Sequence, residues 1–182
     1  MRYIKLFEAF GLDDLEDFLV EFMDRGDCFT SFKNDHMGIY TFRNQDSFNS
    51  TKKVLESKKI SYYSAYYSPN DVIVLLSSEL ERFMNSKFLD CQKFRSKKQK
   101  EIIIWKKGDE VVANLQHDDG RTYFWAAFEI YSSLRYEPFN LGLKPFEILI
   151  NSFLRKMDSH INWSPQTTTD PNKFESTWWC TE

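Results

Sequence analysis

Three histidines, His36, His117 and His160, could bind a metal ion or transfer a proton near neutral pH in this chain of 182 residues. None of them has a second His, a Cys or a carboxylate at metal-ligand spacing. His117 runs into Asp118-Asp119-Gly120, and His36 follows Asn34-Asp35, and both sequences are typical of hairpin turns. The sequence therefore predicts no metal site and no cofactor.

Nucleophilic catalysis would need a Ser or Cys beside a base, and phosphate binding would need a glycine-rich loop. The chain contains no G-x-S-x-G elbow, no G-x-G-x-x-G and no Walker motif. Cys28 and Cys180 are interpreted as inert thiols, and Asp109-Glu110 as a charged hairpin turn rather than part of a nuclease site. The sequence favours a binding protein without enzymatic activity. A nuclease or other hydrolase whose site assembles from distant residues remains an alternative.

The most basic segment, residues 93–107, is the first candidate contact surface. Basic side chains interleaved with aromatic rings are suited to phosphates and stacked bases, so RNA or DNA is one predicted partner. The same residues would suit an acidic protein surface, or would form a solvated strand whose lysines discourage aggregation. The candidate residues are Lys93, Arg95, Lys97, Lys98, Lys100, Trp105, Lys106 and Lys107, with Phe94 among them.

Two other segments are candidates for contacts with a protein. Acidic residues without any base fill residues 8–24, where they could imitate a nucleic-acid backbone or form the wet face of a helix. A tyrosine run follows later, and tyrosine anchors interfaces at a low cost in entropy. The candidates are Asp13, Asp14, Glu16, Asp17 and Glu21 in the acidic segment, and Tyr62, Tyr63, Tyr66 and Tyr67 in the run.

Hydrophobic spacing predicts the elements that position these residues. Helices are expected over 3–10, from 13 to Gly26, over 44–58, from 78 to 88, and as a pair after residue 124. In the first helix of that pair Phe124, Ala127, Phe128, Tyr131 and Leu134 keep helical spacing. Strands are expected over 28–33, 36–42, 60–68, 72–76, 100–107, 110–117 and 121–125. Asp13 and Ser78 are the expected N-caps, each with a Glu three residues later.

This order of elements predicts an α+β fold, with helices packed on an antiparallel or mixed sheet and a C-terminal helix pair. Residues 1–90 would be an α+β segment that begins as helix and then has strand-strand-helix twice, and residues 91–182 would carry a hairpin and the helix pair. The two segments form either two units or one continuous domain, with residues 89–99 as a boundary or exposed loop. Trp178-Trp179 would be costly to expose, so at least one ring is expected to pack on the body.

Composition limits the classes of protein to consider. Hydrophobic residues make up 42%, charged residues 28% and aromatic residues 17% of the chain, which predicts a globular protein with a core rich in rings. Three scattered cysteines indicate a reducing compartment. No signal peptide and no apolar run of about 18 residues occurs, so we expect a cytoplasmic protein without a membrane partner.

The C-terminal helix pair carries a resemblance. The segment YFW, the helix around FEIYSSL and the helix FEILINSFLRKM, within residues 123–158, resemble a module of small uncharacterised accessory proteins of large tailed bacteriophages. The opening YIKLFEAF is similar to the start of many such proteins. The resemblance implies a viral protein acting in the host cytoplasm. By analogy it implies an inhibitor of a host defence complex such as a CRISPR nuclease, with a host or phage protein complex, or a nucleoprotein, as partner.

Overall fold

The computed structural model describes residues 12–67, 69–95, 102–118, 121–164 and 177–180. The helices are α1 (Leu12–Asp24), α2 (Gln45–Ser57), α3 (Ser78–Phe88), α4 (Trp125–Tyr136) and α5 (Leu143–Met157). The strands are β1 (Cys28–Lys33), β2 (Met37–Phe42), β3 (Tyr63–Tyr67), β4 (Asn70–Leu76), β5 (Gln92–Arg95), β6 (Ile103–Lys107), β7 (Glu110–Asp118), β8 (Arg121–Phe124), β9 (Ile161–Ser164) and β10 (Thr177–Cys180). The strands pair antiparallel, and the fold is α+β, as the sequence predicts.

The first four strands form sheet A, in the order β1-β2-β4-β3. Both of its faces are covered, and all six residues of the central strand β2 are buried. One face packs on α1 and α2, where Leu15, Leu19 and Leu55 are fully buried against Tyr40 and Ile73. The other face packs on α3 and α5 within a second, larger hydrophobic cluster. Sheet A therefore lies between two layers of helix.

Strands β5 to β8 form sheet B, a meander in the order of the chain. Its buried face contributes Ile103, Trp105, Ala113, Leu115 and Phe124 to the same large cluster that covers one face of sheet A. Residues from both predicted segments, 1–90 and 91–182, thus share one hydrophobic cluster. The division into two domains stays a prediction.

The chain ends in a two-stranded ribbon of β9 and β10. Trp178 is 2% exposed, and its ring centroid lies 5.0 Å from that of Phe124 in sheet B. The expectation that a tryptophan of the terminal pair packs on the body is confirmed.

Local sequence explains where several helices begin and end. Gly26 has φ +74°, its N–H donates to the Met23 carbonyl, and the Asp27 N–H donates to the Phe22 carbonyl. This is the C-terminal glycine motif that the sequence predicts for α1. Both helices begin earlier than the expected caps. Asp13 is the second residue of α1 rather than its N-cap, and the Ser77 hydroxyl, not that of Ser78, accepts from the Leu80 N–H.

Two other predictions are wrong in an informative way. Residues 92–95 lie in the predicted loop 89–99 but form the edge strand β5. Their backbone pairs with β6, and their polar side chains show no pattern from which this pairing could be predicted. Phe128 was expected in the core stripe of α4 but is 47% exposed, while Ala126 and Ile130 are buried. The helix predicted over residues 3–10 lies outside the described residues.

Candidate functional site

The register of sheet B separates its side chains into a buried face and an open face. Phe94 pairs with Ile104, and Ile104 pairs with Asn114, so these three side chains point the same way. Lys106 and Gln116 follow two residues along their strands, and Gln116 pairs with Tyr123. We call this set the open face: Phe94, Ile104, Lys106, Asn114, Gln116 and Tyr123.

Two aromatic rings stand on the two outer strands of the open face. Phe94 on β5 is 45% exposed and Tyr123 on β8 is 36% exposed. The two strands are three strand spacings apart, about 14 Å. Each ring therefore has room for its own planar ligand.

A basic side chain and two amide side chains lie on the same face as the rings. The Lys106 ammonium nitrogen lies 5.5 Å from the centroid of the Phe94 ring. The half-buried amides of Asn114 and Gln116 lie on β7, between the two aromatic strands, and each can both donate and accept hydrogen bonds. The open face thus combines rings that can stack, one cation and two amides.

Among the residues that the structure describes, the basic side chains of segment 93–107 do not lie on one surface. Trp105 is 1% exposed and packs on Phe124, so its ring cannot stack on a base as the sequence suggested. Lys93 lies on the opposite side of β5 from Phe94 and makes an ion pair with Asp158. Arg95 shares that opposite side. Lys97, Lys98 and Lys100 lie outside the described residues.

Lys107 points away from the open face as well. Its ammonium group donates a hydrogen bond of 3.1 Å to the Ser86 carbonyl near the end of α3. Both residues line a cavity of about 300 Å³ between α3, the β6–β7 hairpin and α4, together with Lys87, Glu110 and Glu129. Charges of both signs surround this cavity, so it favours neither an anion nor a cation.

The acidic candidates are placed partly in contacts within the chain. Glu16 makes an ion pair of 2.7 Å with Lys33 on β1, and Glu21 lies 3.7 Å from Arg25 one helical turn later. Asp17 is exposed. The structure describes Asp13 and Asp14 only as residues of α1 and not their side chains. The described acids therefore line the outer side of α1, partly neutralised by basic neighbours.

The tyrosine run does not form a continuous surface. Tyr63 is buried, its ring centroid lies 4.5 Å from that of Phe153, and its hydroxyl donates to Glu81. Burial and this carboxylate raise the pKa of Tyr63. Tyr66 points outward with 39% exposure, and the ring of Tyr67 lies beneath the Lys144 ammonium group.

Tyr62 is held at the side of α2. Its hydroxyl donates a bond of 2.6 Å to Glu56, and partial burial followed by this carboxylate raises the pKa of Tyr62 to about 12. Tyr63 is therefore buried, Tyr62 and Tyr67 each contact a neighbouring side chain, and Tyr66 is exposed.

Each of the three histidines makes a contact within the chain that accounts for its position. The Nδ1 atom of His117 lies 3.1 Å from the Thr122 hydroxyl, and that of His160 lies 3.2 Å from Asp158. The ring of His36 packs edge-on against Phe139. No group of three or more His, Cys, Asp or Glu that could hold a metal ion occurs among the described residues. Over the same part of the chain, no helix is long and apolar enough to cross a membrane.

Sequence reasoning missed most of the open face. Ile104, Asn114, Gln116 and Tyr123 were interpreted only as parts of strands. Alternation was the available signal, because the segment A-N-L-Q places Asn114 and Gln116 opposite the buried Ala113 and Leu115. What the sequence could not supply was the register that joins these residues to Phe94.

The comparisons with known proteins identify no relative of this chain. No protein-family model, no curated protein and no solved structure matches it.

Proposed function

We propose that this protein binds single-stranded nucleic acid on the open face of sheet B. The observation that carries the proposal is the pairing register, which brings Phe94, Lys106 and Tyr123 to one exposed surface. A base stacked on an exposed ring contributes about 1–3 kcal/mol to binding, whatever its identity. The cation beside Phe94 is placed to contact a neighbouring phosphate.

The chemistry favours a single strand over a duplex. Bases in a duplex are already stacked on each other, whereas those of a single strand can be spread across a sheet and laid on its rings. Between the rings, Asn114 and Gln116 can donate to and accept from base edges.

Binding of labelled single-stranded RNA, single-stranded DNA and duplex DNA across a salt series tests the proposal. We expect both single strands to bind more tightly than the duplex, with affinity falling as salt rises. Phe94→Ala should weaken single-strand binding by about tenfold, the effect of losing one stacked base. Fluorescence anisotropy measures each dissociation constant.

Phe29 is the matched control for Phe94. It also lies on the edge strand of a four-stranded sheet, is 38% exposed, and has the guanidinium of Arg43 5.1 Å from its ring centroid. Phe29→Ala should leave binding unchanged. If neither single strand binds at low salt, or if both substitutions weaken binding equally, the open face is not the nucleic-acid site.

The anti-defence role is a separate prediction. It rests on the resemblance of residues 123–158 to phage accessory proteins, and its predicted partner is a host nuclease complex, with or without its nucleic acid. A pull-down from bacterial lysate, with mass spectrometry of retained proteins, tests it. Recovery of a defence nuclease with wild type and with Phe94→Ala alike would favour a protein contact away from the open face.

A further inference from the structure

The cavity of about 300 Å³ between the end of α3, the β6–β7 hairpin and α4 is large enough for a ligand. This volume is at the lower end of the range for ligand sites in proteins, so the ligand would be a small molecule. None of the described residues that line the cavity belongs to the open face. A molecule bound here would therefore occupy a site separate from the proposed nucleic-acid site.

The inner wall of the cavity is apolar. Ala126 and Ile130 on α4 are buried in the large hydrophobic cluster, and Val112 on β7 packs against that cluster. The charged lining residues, in contrast, are all exposed. Apolar surface thus lies at the inner end of the cavity and charge at its mouth. An aliphatic group that enters the cavity removes this inner wall from water, which is favourable.

Two basic and two acidic side chains line the mouth. The Lys107 ammonium group is held on the α3 side by its hydrogen bond of 3.1 Å to the Ser86 carbonyl, and Lys87 is the next residue of α3. Glu129 lies across the cavity on α4, and Glu110 lies on the hairpin. Neither of these two acids forms an ion pair with another described residue, so both carboxylates are open to a ligand.

We propose that this cavity binds a free α-amino acid with an aliphatic side chain. A simple anion would be attracted by the lysines and repelled by the glutamates, and a simple cation the reverse, whereas a zwitterion offers each side its opposite charge. The ligand carboxylate lies toward Lys107, which keeps two of its three N–H donors beyond the bond to Ser86. The ligand ammonium group lies toward Glu129, and the aliphatic side chain covers the inner wall.

The order of polar and apolar surface selects an α-amino acid among zwitterions. Both charges of an α-amino acid are attached through one carbon at one end of the molecule, and its side chain forms the other end. The cavity has the same order, with both signs of charge at its mouth and apolar surface inside. A zwitterion with its charges at opposite ends of an aliphatic chain would bring one of them against the inner wall, where it would lose water without gaining a partner.

Titration of the full chain with L-leucine tests the proposal, followed by two-dimensional NMR of isotope-labelled protein. Changes in chemical shift should be confined to the lining segments, residues 86–87, 107–112 and 126–133. N-acetyl-L-leucine lacks the ammonium charge, and L-leucinamide lacks the carboxylate charge. Each should bind at least about tenfold more weakly than L-leucine, the effect of losing one charge-assisted hydrogen bond.

Substitutions assign each ligand group to its partner. Glu129→Gln and Lys107→Gln should each weaken L-leucine binding by about tenfold. Because Glu129 contacts only the ammonium group, Glu129→Gln should not weaken N-acetyl-L-leucine further, and Lys107→Gln should likewise leave L-leucinamide unchanged. Asp17→Asn and Lys53→Gln are the matched controls, since they remove the same charges from exposed residues of α1 and α2, and both should bind L-leucine as wild type does.

A wild type without any change in chemical shift up to about 10 mM L-leucine overturns the proposal. Shifts outside the lining segments overturn it too, as do charge-blocked ligands that bind as tightly as L-leucine. Circular dichroism establishes that each variant is folded, and the comparison of free and blocked ligands needs no variant. The titrations contain no nucleic acid, so their outcome is independent of the proposed function.

Discussion

Sheets A and B have four strands each but differ in how many faces the rest of the chain covers. Helices pack on both faces of sheet A, and its strand β2 is buried at every residue. In sheet B, buried residues alternate with partly exposed ones along β6 and β7, and β5 is exposed throughout. The central strand of sheet A is therefore buried on both faces, with exposed residues on its edge strand β1, whereas sheet B packs with one face and presents a second face outward.

The difference shows where this protein can carry a contact surface. Replacing a residue that is buried on either face removes packing and lowers stability. Residues on the partly exposed face of sheet B are less constrained, so rings, amides and a lysine can stand there at small cost. Substitutions at matched residues in the two sheets test this difference.

The largest expected effect is on stability, at two isoleucines in central strands. Ile39→Ala in β2 removes a fully buried side chain and should lower the free energy of unfolding by about 2–5 kcal/mol. Ile104→Ala in β6 removes a half-buried side chain on the open face, and about 1 kcal/mol is expected. Urea denaturation followed by circular dichroism measures both. Equal losses would show that the open face is packed in solution.

A smaller effect is expected on the salt dependence of nucleic-acid binding. Lys106→Gln removes the cation of the open face, and the slope of log affinity against log salt should become shallower by about 0.7 for one lost phosphate contact. Arg43→Gln is the control, because Arg43 stands over the ring of Phe29 in sheet A in the same way. Titrations at four or more salt concentrations give the slopes. If both substitutions change the slope alike, Lys106 makes no specific phosphate contact.

The smallest expected effect is a change in alkaline stability, at two cysteines. Burial, and then the neighbouring Asp27 carboxylate, raise the pKa of the Cys28 thiol from 9.0 to about 12. Between these two values the unfolded chain releases the proton while the folded chain keeps it, so the free energy of unfolding falls as pH rises. Cys28→Ala should make this fall shallower between pH 9 and 11 in urea denaturation.

Cys91, just before sheet B, provides the contrast. Burial raises the pKa of its thiol, but the nearby Lys107 opposes that rise. Cys91→Ala should therefore change the alkaline slope less than Cys28→Ala does. The reverse order would mean that the thiol beside sheet B is the more deeply buried one in solution.

Local periodicity was enough to predict most of the fold. The stripe Leu15–Leu19, the two hairpins of sheet A and the β6–β7 hairpin were predicted because each pattern depends on residues within a few positions of one another. Strand β5 was missed because an exposed edge strand has no hydrophobic alternation, and only its pairing with β6 makes it a strand. Phe128 was misplaced because its helical spacing to Phe124 looked like part of a core stripe, yet Phe124 belongs to β8.

Residue patterns within short segments were enough to predict the fold class and most of the order of the elements, and composition showed the many rings and the segregated charge. Contacts between distant parts of the chain place those rings and charges, and they determine which of them are exposed together on one surface. They buried Trp105, turned Lys93 and Lys107 toward other partners, and brought Phe94 and Tyr123 onto one face. The physical reason is that strand register and side-chain exposure depend on contacts between residues far apart in the chain, which local periodicity does not encode.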